Sequence, residues 1–597
     1  MATEASEKVD GSHATHDAPA TPEPRRRHHH LELKPIPIEE EAIKDAVHID
    51  IGWRSWLVVL LACFAVMAQI FVVVAAGQVI AFIIRDLGDA ALAGWIIQGP
   101  LLMQSVLSPI VGRMSDILDR KYLAAIPPLI AFIGAIISAK ASSMSVLIGG
   151  GILIGVTLST VSIIQSIPSE VLPLKLRPLA NGLCAMGGTV AGLGGSLIAG
   201  AVTNVDAKGW RWIFWIQAIL HGLTFLGLIL FYWPPKNTEI PEMTTGDYFW
   251  ACDPIGSVLF IAGSTLTLLA LDWTGGTYPW SDPHVIAPLV VGLVLLVFFG
   301  LYEWKGRTDG LVAHVFFHRN ANFAISNFAI AVEGWIFYSA VNSVVPQIVL
   351  NLGFEDNSWD ISIRQLSFQC VIFFAPLAIS WYSTYFKDLK SPLLITFVIF
   401  LVVSICYTTI KPTWDHAQLG INVLAGIGQA GPLTLLPACV QYTAPHAFLS
   451  TATGLAFSSR AIGGAFGSAV LDAIINGHLE SDYTPAVAAA AEGAGLPASS
   501  VPALIAAIKS GQTSGVPGAT PDVWAAALDA SRWQYARAYN LAWASIIPFV
   551  VLGIVSIAFL KGVKELMTEK VEATVEHVDR KRALSEQEAV VEEAMGK

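Results

Sequence analysis

From about residue 53 the chain alternates between long apolar runs and short polar breaks. Each run covers roughly 18 to 25 residues, enough for a helix to cross the hydrocarbon layer of a bilayer. Fourteen spans are predicted, near residues 56–76, 91–111, 122–139, 145–165, 180–202, 212–233, 254–271, 285–302, 323–345, 366–385, 392–410, 420–440, 449–475 and 541–560. Residues 1–50 lack the pattern. Rich in Glu, His, Pro and Ala, with an RRRHHH run at 25–30, they predict a disordered tail. The first apolar run begins too late for a cleavable leader, so none is expected. One break is long: residues 476–540 are Ala-rich, and VPALIAAIKS and PDVWAAALDASRWQYARAY within them have helix-like apolar spacing. Short amphipathic helices over one mouth are expected there, as a spacer or as a lid.

Composition sharpens this. Of 597 residues, 54% are hydrophobic and only 14% charged. The mean hydropathy is +0.59, and a soluble chain of this length would carry far more surface charge. An all-α polytopic membrane protein is expected, with the lipid bilayer as its solvent. The net charge of −11 comes largely from the two tails, so it does not point to a nucleic-acid partner. The six cysteines are scattered, without a CxxC or Cys/His cluster, which supports neither a disulfide framework nor a metal site. No nucleotide loop, triad spacing or other enzyme signature is present.

Loop charge orients the spans. Arg113, Arg120 and Lys121, then Lys175 and Arg177, then Lys236, then Lys305, Arg307 and Arg319, then Lys387 and Lys390 fall in alternate short loops. The loops between hold fewer cations, mainly Arg85, Lys140, Lys208, Arg211, Arg364 and Lys411. The richer set is expected on the cytoplasmic side, which with an even span count puts both termini there.

The break GRMSDILDRKYL, residues 112–123, is more than a polar hairpin. Its Gly112, Asp116, Arg120 and Lys121 resemble the signature loop between the second and third spans of the major facilitator superfamily. Ile117 stands where that signature has a cation and Asp119 where it has Gly; Asp tolerates a left-handed turn better than most residues. WRWIFWIQ (210–217) and RAIGGAFGSAV (460–470) are similar to motifs of the fourteen-span drug:proton antiporter branch. PSEVLPLKLRPLANG (168–182), LALDWTGGTYPWSDPHVIAP (269–288) and YEWKGRTDGLVAHVFFHRN (302–320) resemble the fungal trichothecene efflux pumps and their siderophore-carrier cousins.

The resemblance implies six-helix bundles at 51–236 and 305–562, a two-helix insert at 237–304, and cytoplasmic tails at 1–50 and 563–597. It implies a monomeric, cofactor-free carrier of a bulky amphipathic metabolite, driven by protons, in a plasma, vacuolar or vesicle membrane. Efflux of a trichothecene-like toxin or a xenobiotic is the leading expectation. Ferri-siderophore uptake by proton symport is the alternative, with His478, Tyr483, Tyr535 and Tyr539 of the long loop as its screen. A non-transporting sensor ranks below both, because the tails are short and featureless.

An ionisable group inside a span is costly and should face a cavity or a partner. Glu333 is the first candidate for a proton-coupling acid, followed by His221 and Asp472; their plainer readings are an acid buried for structure and bonded to a neighbouring helix, a satisfied packing residue, and a side chain that snorkels from near the outer end. Arg460 and Asp472, twelve residues apart on one span, are separated by about 18 Å and cannot pair. Arg460 is expected to brace the Asp116 loop or another gate, and Glu170 with Arg177 to form a gate network. The antiporter pattern is incomplete: Gly151 replaces an Arg of the fourth span, Gln69 is the nearest polar residue to a missing acid of the first, and AGLGGSLIAG (191–200) lacks a proline. Candidate cargo contacts are Gln69, Gln98, Gln104, Gln165, Trp335, Tyr338, Asn342, Gln347 and Gln429. Their plainer role is helix-to-helix hydrogen bonding.

Overall fold

A computed structural model describes residues 51–573 and 575, apart from 90–91, 93, 206–207, 235–242, 275–277, 356 and 510–514. The expected N-terminal tail with its RRRHHH run, Lys236 and the C-terminal tail beyond 575 lie outside the described residues. Among the described residues there is no β-strand. Within the described residues fourteen long helices follow one another: α1 (Trp53–Leu87), α2 (Trp95–Ile117), α3 (Arg120–Ala139), α4 (Met144–Val171), α5 (Arg177–Val205), α6 (Trp210–Phe231), α7 (Pro254–Trp273), α8 (Pro283–Leu301), α9 (Asn322–Asn351), α10 (Ser358–Phe386), α11 (Lys390–Tyr407), α12 (Asp415–Thr443), α13 (Leu449–His478) and α14 (Pro521–Ala558). Thirteen of them are long and apolar enough to cross a membrane. The other, α13, is less apolar because Ser, Thr and Gly recur along it with Arg460 and Asp472. It tolerates that polarity because most of its first half is buried among other helices. The chain is a multi-pass membrane protein.

Helix contacts fall into two sets. In the first half α1 packs on α5 and α6, and α3 on α4 and α6; in the second α9 packs on α12 and α13, α10 on α12, and α11 on α12 and α14. The halves meet along two seams, α2 against α13 and α5 against α10, with α4 also touching α13. Glycine sets the spacing at the first seam: a Cβ on Gly112 would overlap the Ser450 carbonyl, and one on Gly454 the Ser108 carbonyl. Helices α7 and α8 pack on each other and lie over the α2/α13 seam, where Phe260, Phe299 and Leu311 meet Ile110 and Ile462.

The loop at 117–120 and those at 172–176, 306–321, 387–389 and 444–448 come together at one end, here the motif end. Ile51 packs beside Leu172 and Leu176 there, and residues 561–573 reach the same end. Asp86, paired with Arg211, and Arg364, paired with Glu355, mark the opposite end.

Two local expectations change. Asp119 is not left-handed: at φ −71° and ψ 108° it is extended, and its carboxylate caps α3 by accepting from the Lys121 N–H at 2.9 Å. An Asp in an N-cap satisfies an otherwise unpaired helix donor, which here replaces the turn a Gly would make. The long break is also shorter than expected. PDVWAAALDASRWQYARAY does not lie across a mouth but forms the first half of α14, uninterrupted because no glycine or internal proline breaks it before Pro548. VPALIAAIKS does form its own helix, Val501–Lys509, which packs with a helix at Thr484–Gly493 and the start of α14 around Tyr483, Val487, Leu504 and Val523.

Candidate functional site

The middle of the molecule is built where α9 and α13 touch. Cβ atoms on Gly334 and Gly463 would collide with the Arg460 and Ala331 carbonyls, so these glycines bring the two backbones together. Directly after Gly334 the helix widens into a π-helical stretch, Trp335–Val344. Such stretches re-aim side chains within a helix. Glu333, in the regular turn just before that stretch and 1% exposed, faces Arg460, and the two form a bidentate pair: Nε to Oε2 at 2.6 Å and Nη2 to Oε1 at 2.7 Å. Gln429 of α12 donates its side-chain amide to Glu333 Oε1. The Arg460 Nη1 donates to the Tyr338 hydroxyl at 3.0 Å, and the guanidinium lies over the Phe337 and Tyr338 rings. Gln104 of α2 approaches that hydroxyl from the other half. Glu333, Arg460, Gln104 and Gln429 sit about 11 to 14 residues from the motif-end termini of their helices. At 1.5 Å per residue that is about 16–21 Å, near half-depth.

Arg460 therefore does not brace the Asp116 loop. Its partner is Glu333, one helix away, and Asp116 is satisfied elsewhere. The Asp116 carboxylate accepts from the Ser450 and Thr451 backbone N–H groups at 3.1 and 2.8 Å and from the Thr451 hydroxyl at 2.7 Å. It thus caps the N-terminus of α13, a helix of the other half, where an anion is favoured by the unpaired donors and the dipole. Arg120 pairs with Asp116 at 2.9 Å and also with Glu170, which faces His446 at 3.8 Å. Arg177 donates to the Gln441 carbonyl at 2.8 Å and pairs with Glu572 at 2.7 Å, so Glu170 and Arg177 hold neighbouring but separate contacts. Gln441 also binds Ser169 and Asn181. Lys121 places its ammonium over Trp233. Across the motif end the halves are closed on each other by charge-assisted bonds. At mid-depth they meet where the Ser458 hydroxyl donates to the Ser105 carbonyl and Gln104 approaches Tyr338.

A family model, Major Facilitator Superfamily, matches residues 55–468. The chain belongs to this superfamily. It is accordingly a membrane transporter of small molecules and not an enzyme. Among relatives, the MFS-type transporter prx5 of Penicillium rubens is 27% identical over 78% of this chain and 84% of its own length. The aspyridones efflux protein of Neocamarosporium betae is 33% identical over 37% of this chain and 39% of its own. The efflux pump dotC of Dothistroma septosporum is 30% identical over 38% of each. The chain thus spans less than half the length of the last two.

Within this facilitator the remaining candidates are dispersed. His221 lies between α6 and α1, 2.5 Å from the Gln217 amide, which itself donates to the Ala68 carbonyl. Asp472 lies towards the far end of α13, near Asp272 of α7. Gln69 donates to the Thr157 carbonyl and the Thr160 hydroxyl at 2.7 and 3.1 Å, tying α1 to α4. Gln165 is near the motif end, where its backbone carbonyl meets Gln441. Trp335 packs against Phe466 and Phe549. Gln98 is half-buried near the far end of α2, Asn342 is exposed, and Gln347 donates to Ser343. Only Gln104, Tyr338 and Gln429 of the cargo candidates join the Glu333–Arg460 pair. In the cap at the far end Tyr483 binds Ser531 and Tyr539 binds Asn351, both phenol rings buried.

Sequence reasoning missed the partners. Ser450, Thr451 and Gln441 are uncharged, and nothing in their local pattern separates them from ordinary span-end residues. Arg113 was read as topogenic charge only. It is 1% exposed, donates to the Ala251 and Asp309 carbonyls at 3.1 and 2.8 Å, and so ties α2 to the segment just before α7 and to the loop after α8. Its burial against Phe448 had one signal, an Arg adjoining a glycine that permits close helix approach.

Proposed function

We propose that this facilitator exports a bulky, amphipathic secondary metabolite in exchange for protons, with Glu333 as the acid that takes up and releases the proton. The observation that carries the reading is the buried cluster at half-depth. Glu333, Arg460 and Gln429 form a group without net charge, and Tyr338, bonded to Arg460, lies beside Gln104 of the other half. A proton on Glu333 neutralises one member of a buried pair and leaves Arg460 to find another acceptor. Cargo and proton thereby compete for one group, so cargo arrival goes with proton release, as exchange requires. Rocking of the halves then exposes the cluster alternately to each side.

The motif end is the cytoplasmic one, by its excess of Arg and Lys, which gives cytoplasmic termini. The closed contacts there support an arrangement that excludes the cytosol. Export rather than import is supported by relatives named as efflux proteins. Trichothecene-like sesquiterpenoids are the cargo class that the sequence resemblance favours, the plasma membrane the site of action, and a monomer the working unit.

The test is a vesicle reconstitution with a pH-sensitive dye inside, offering a trichothecene-like sesquiterpenoid and a ferric hydroxamate separately. Toxin flux with opposed proton movement, absent in Glu333→Gln, is the expected outcome. Proton entry together with the iron chelate would overturn the export reading and restore uptake.

A further inference from the structure

The segment following α14 does not leave the molecule. Asn322 holds residue Lys561 from both sides, accepting from its N–H and donating to its carbonyl, each at 2.9 Å. Val563, Leu566 and Met567 are buried in the core of the second half, and Lys387 donates to the Met567 carbonyl at 2.9 Å. From the next residue onwards the chain lies against the first half. Lys175 N–H donates to the Thr568 carbonyl at 2.9 Å, Leu174 N–H to the Lys570 carbonyl at 2.9 Å, and Ala573 N–H to the Glu170 carbonyl at 3.1 Å. The two stretches therefore run side by side in opposite directions. Lys175 pairs with Glu569 at 2.5 Å and Arg177 with Glu572 at 2.7 Å, while Val575 packs against the core of the first half.

We propose that residues 561–573 form a strap that fastens the two halves at the motif end and restrains the carrier from opening there. One end is anchored in the second half by burial, and the other is held on the 170–177 turn by three backbone hydrogen bonds and two ion pairs. Opening the motif end separates the 170–177 turn from Asn322 and Lys387, so the strap must give up one set of bonds. The set on the first half is the one that gives way, because the Lys175–Glu569 pair is solvent-exposed and Arg177–Glu572 is its one buried ion pair, whereas Val563, Leu566 and Met567 are packed in the core of the second half. The strap therefore peels from residue 573 backwards and stays with the second half. Its last bond is to the backbone of Glu170, the residue whose carboxylate holds Arg120, so strap and gate open together. The inference concerns regulation and holds for any cargo or coupling ion.

The experiment reads distance, not transport. Spin labels on Leu118→Cys and Ser391→Cys, both exposed residues at the motif end of opposite halves, are placed in a full-length background without the six native cysteines. Pulsed dipolar spectroscopy in lipid nanodiscs then reports the separation. A chain ending after Met567 keeps the buried anchor and lacks the rest, and is expected to increase the longer-distance population about tenfold, the equivalent of losing one or two net hydrogen bonds. Glu569→Lys in the full chain is expected to shift it in the same direction by a smaller factor, and Lys175→Glu with Glu569→Lys to restore it. Unchanged distances in both the truncated chain and Glu569→Lys overturn the strap. Failure of the exchanged pair to restore the short distance overturns the 170–177 turn as its attachment point. Transport by these variants is not consulted, so a wrong cargo cannot imitate a wrong strap.

Discussion

Replacing Glu333 by Gln removes the charge that balances Arg460 while keeping the side chain's size. Two bonds of 2.6 and 2.7 Å become, at best, one weaker bond to the amide oxygen, and a guanidinium that is 6% exposed keeps only Tyr338 and two ring faces. Breaking a buried ion pair by removing one partner typically costs about 3–5 kcal/mol, because the other charge is left without compensation. Arg460→Gln should cost about as much for the converse reason, leaving Glu333 with Gln429 alone. The double variant restores electrical balance: two amides can bond each other, and Gln429 retains an acceptor. It should cost less than either single change, giving an interaction energy of about 3 kcal/mol or more in the double-mutant cycle. Thermal unfolding of the purified carrier in detergent, followed by loss of the monodisperse peak, measures all four proteins on one scale. Transport should be absent in all three variants, so stability and activity separate. If the two single costs simply add in the double variant, the pair is not an energetic unit, and the mid-depth site loses its foundation.

Two further outcomes follow from contacts away from this pair. Gly112→Ala should force α13 off α2 at Ser450 and destabilise the closed motif end by about 1–3 kcal/mol, seen as faster labelling of a cysteine introduced nearby. At the far end, Arg211 beside Asp86 holds its carboxyl below the usual carboxylate range. A lowered pKa gives stability that is present above the unfolded value of about 3.9 and lost as pH falls through the folded one. Acid unfolding below pH ~4 should therefore be less steep in Asp86→Asn, and an unchanged profile would remove the pair from the account.

The spans were legible because one physical requirement, the length of a helix across hydrocarbon, imprints itself on composition. The signature at Gly112, Asp116 and Arg120 was legible for a related reason: charge is rare there, so each instance stands out. What charge does not announce is its partner. Glu333 and Arg460 are 127 residues apart in sequence and were read separately, one as a coupling acid and the other as a brace. Helix phase alone does not say which faces meet, and the glycines at 334 and 463 that decide it read equally well as generic packing. Asp119 shows the same limit at short range, since a cap and a left-handed turn draw on the same residue type. The start of α14 was misplaced because its first half is less apolar than a span; at 38 residues the helix is longer than a bilayer core needs, and its first half is supported by the short helices that pack on it.

The insert, fastened to α2 by Arg113 and resting on the α2/α13 seam, makes the two sides of the carrier inequivalent. An oily solute dissolved in the bilayer meets two further helices on one flank before it can reach the line where the halves part. On the other flank it meets the α5/α10 line without that cover. A molecule that partitions into membrane before it is captured would then have a preferred door, and the traffic of lipid-soluble cargo would be one-sided around the protein's girth.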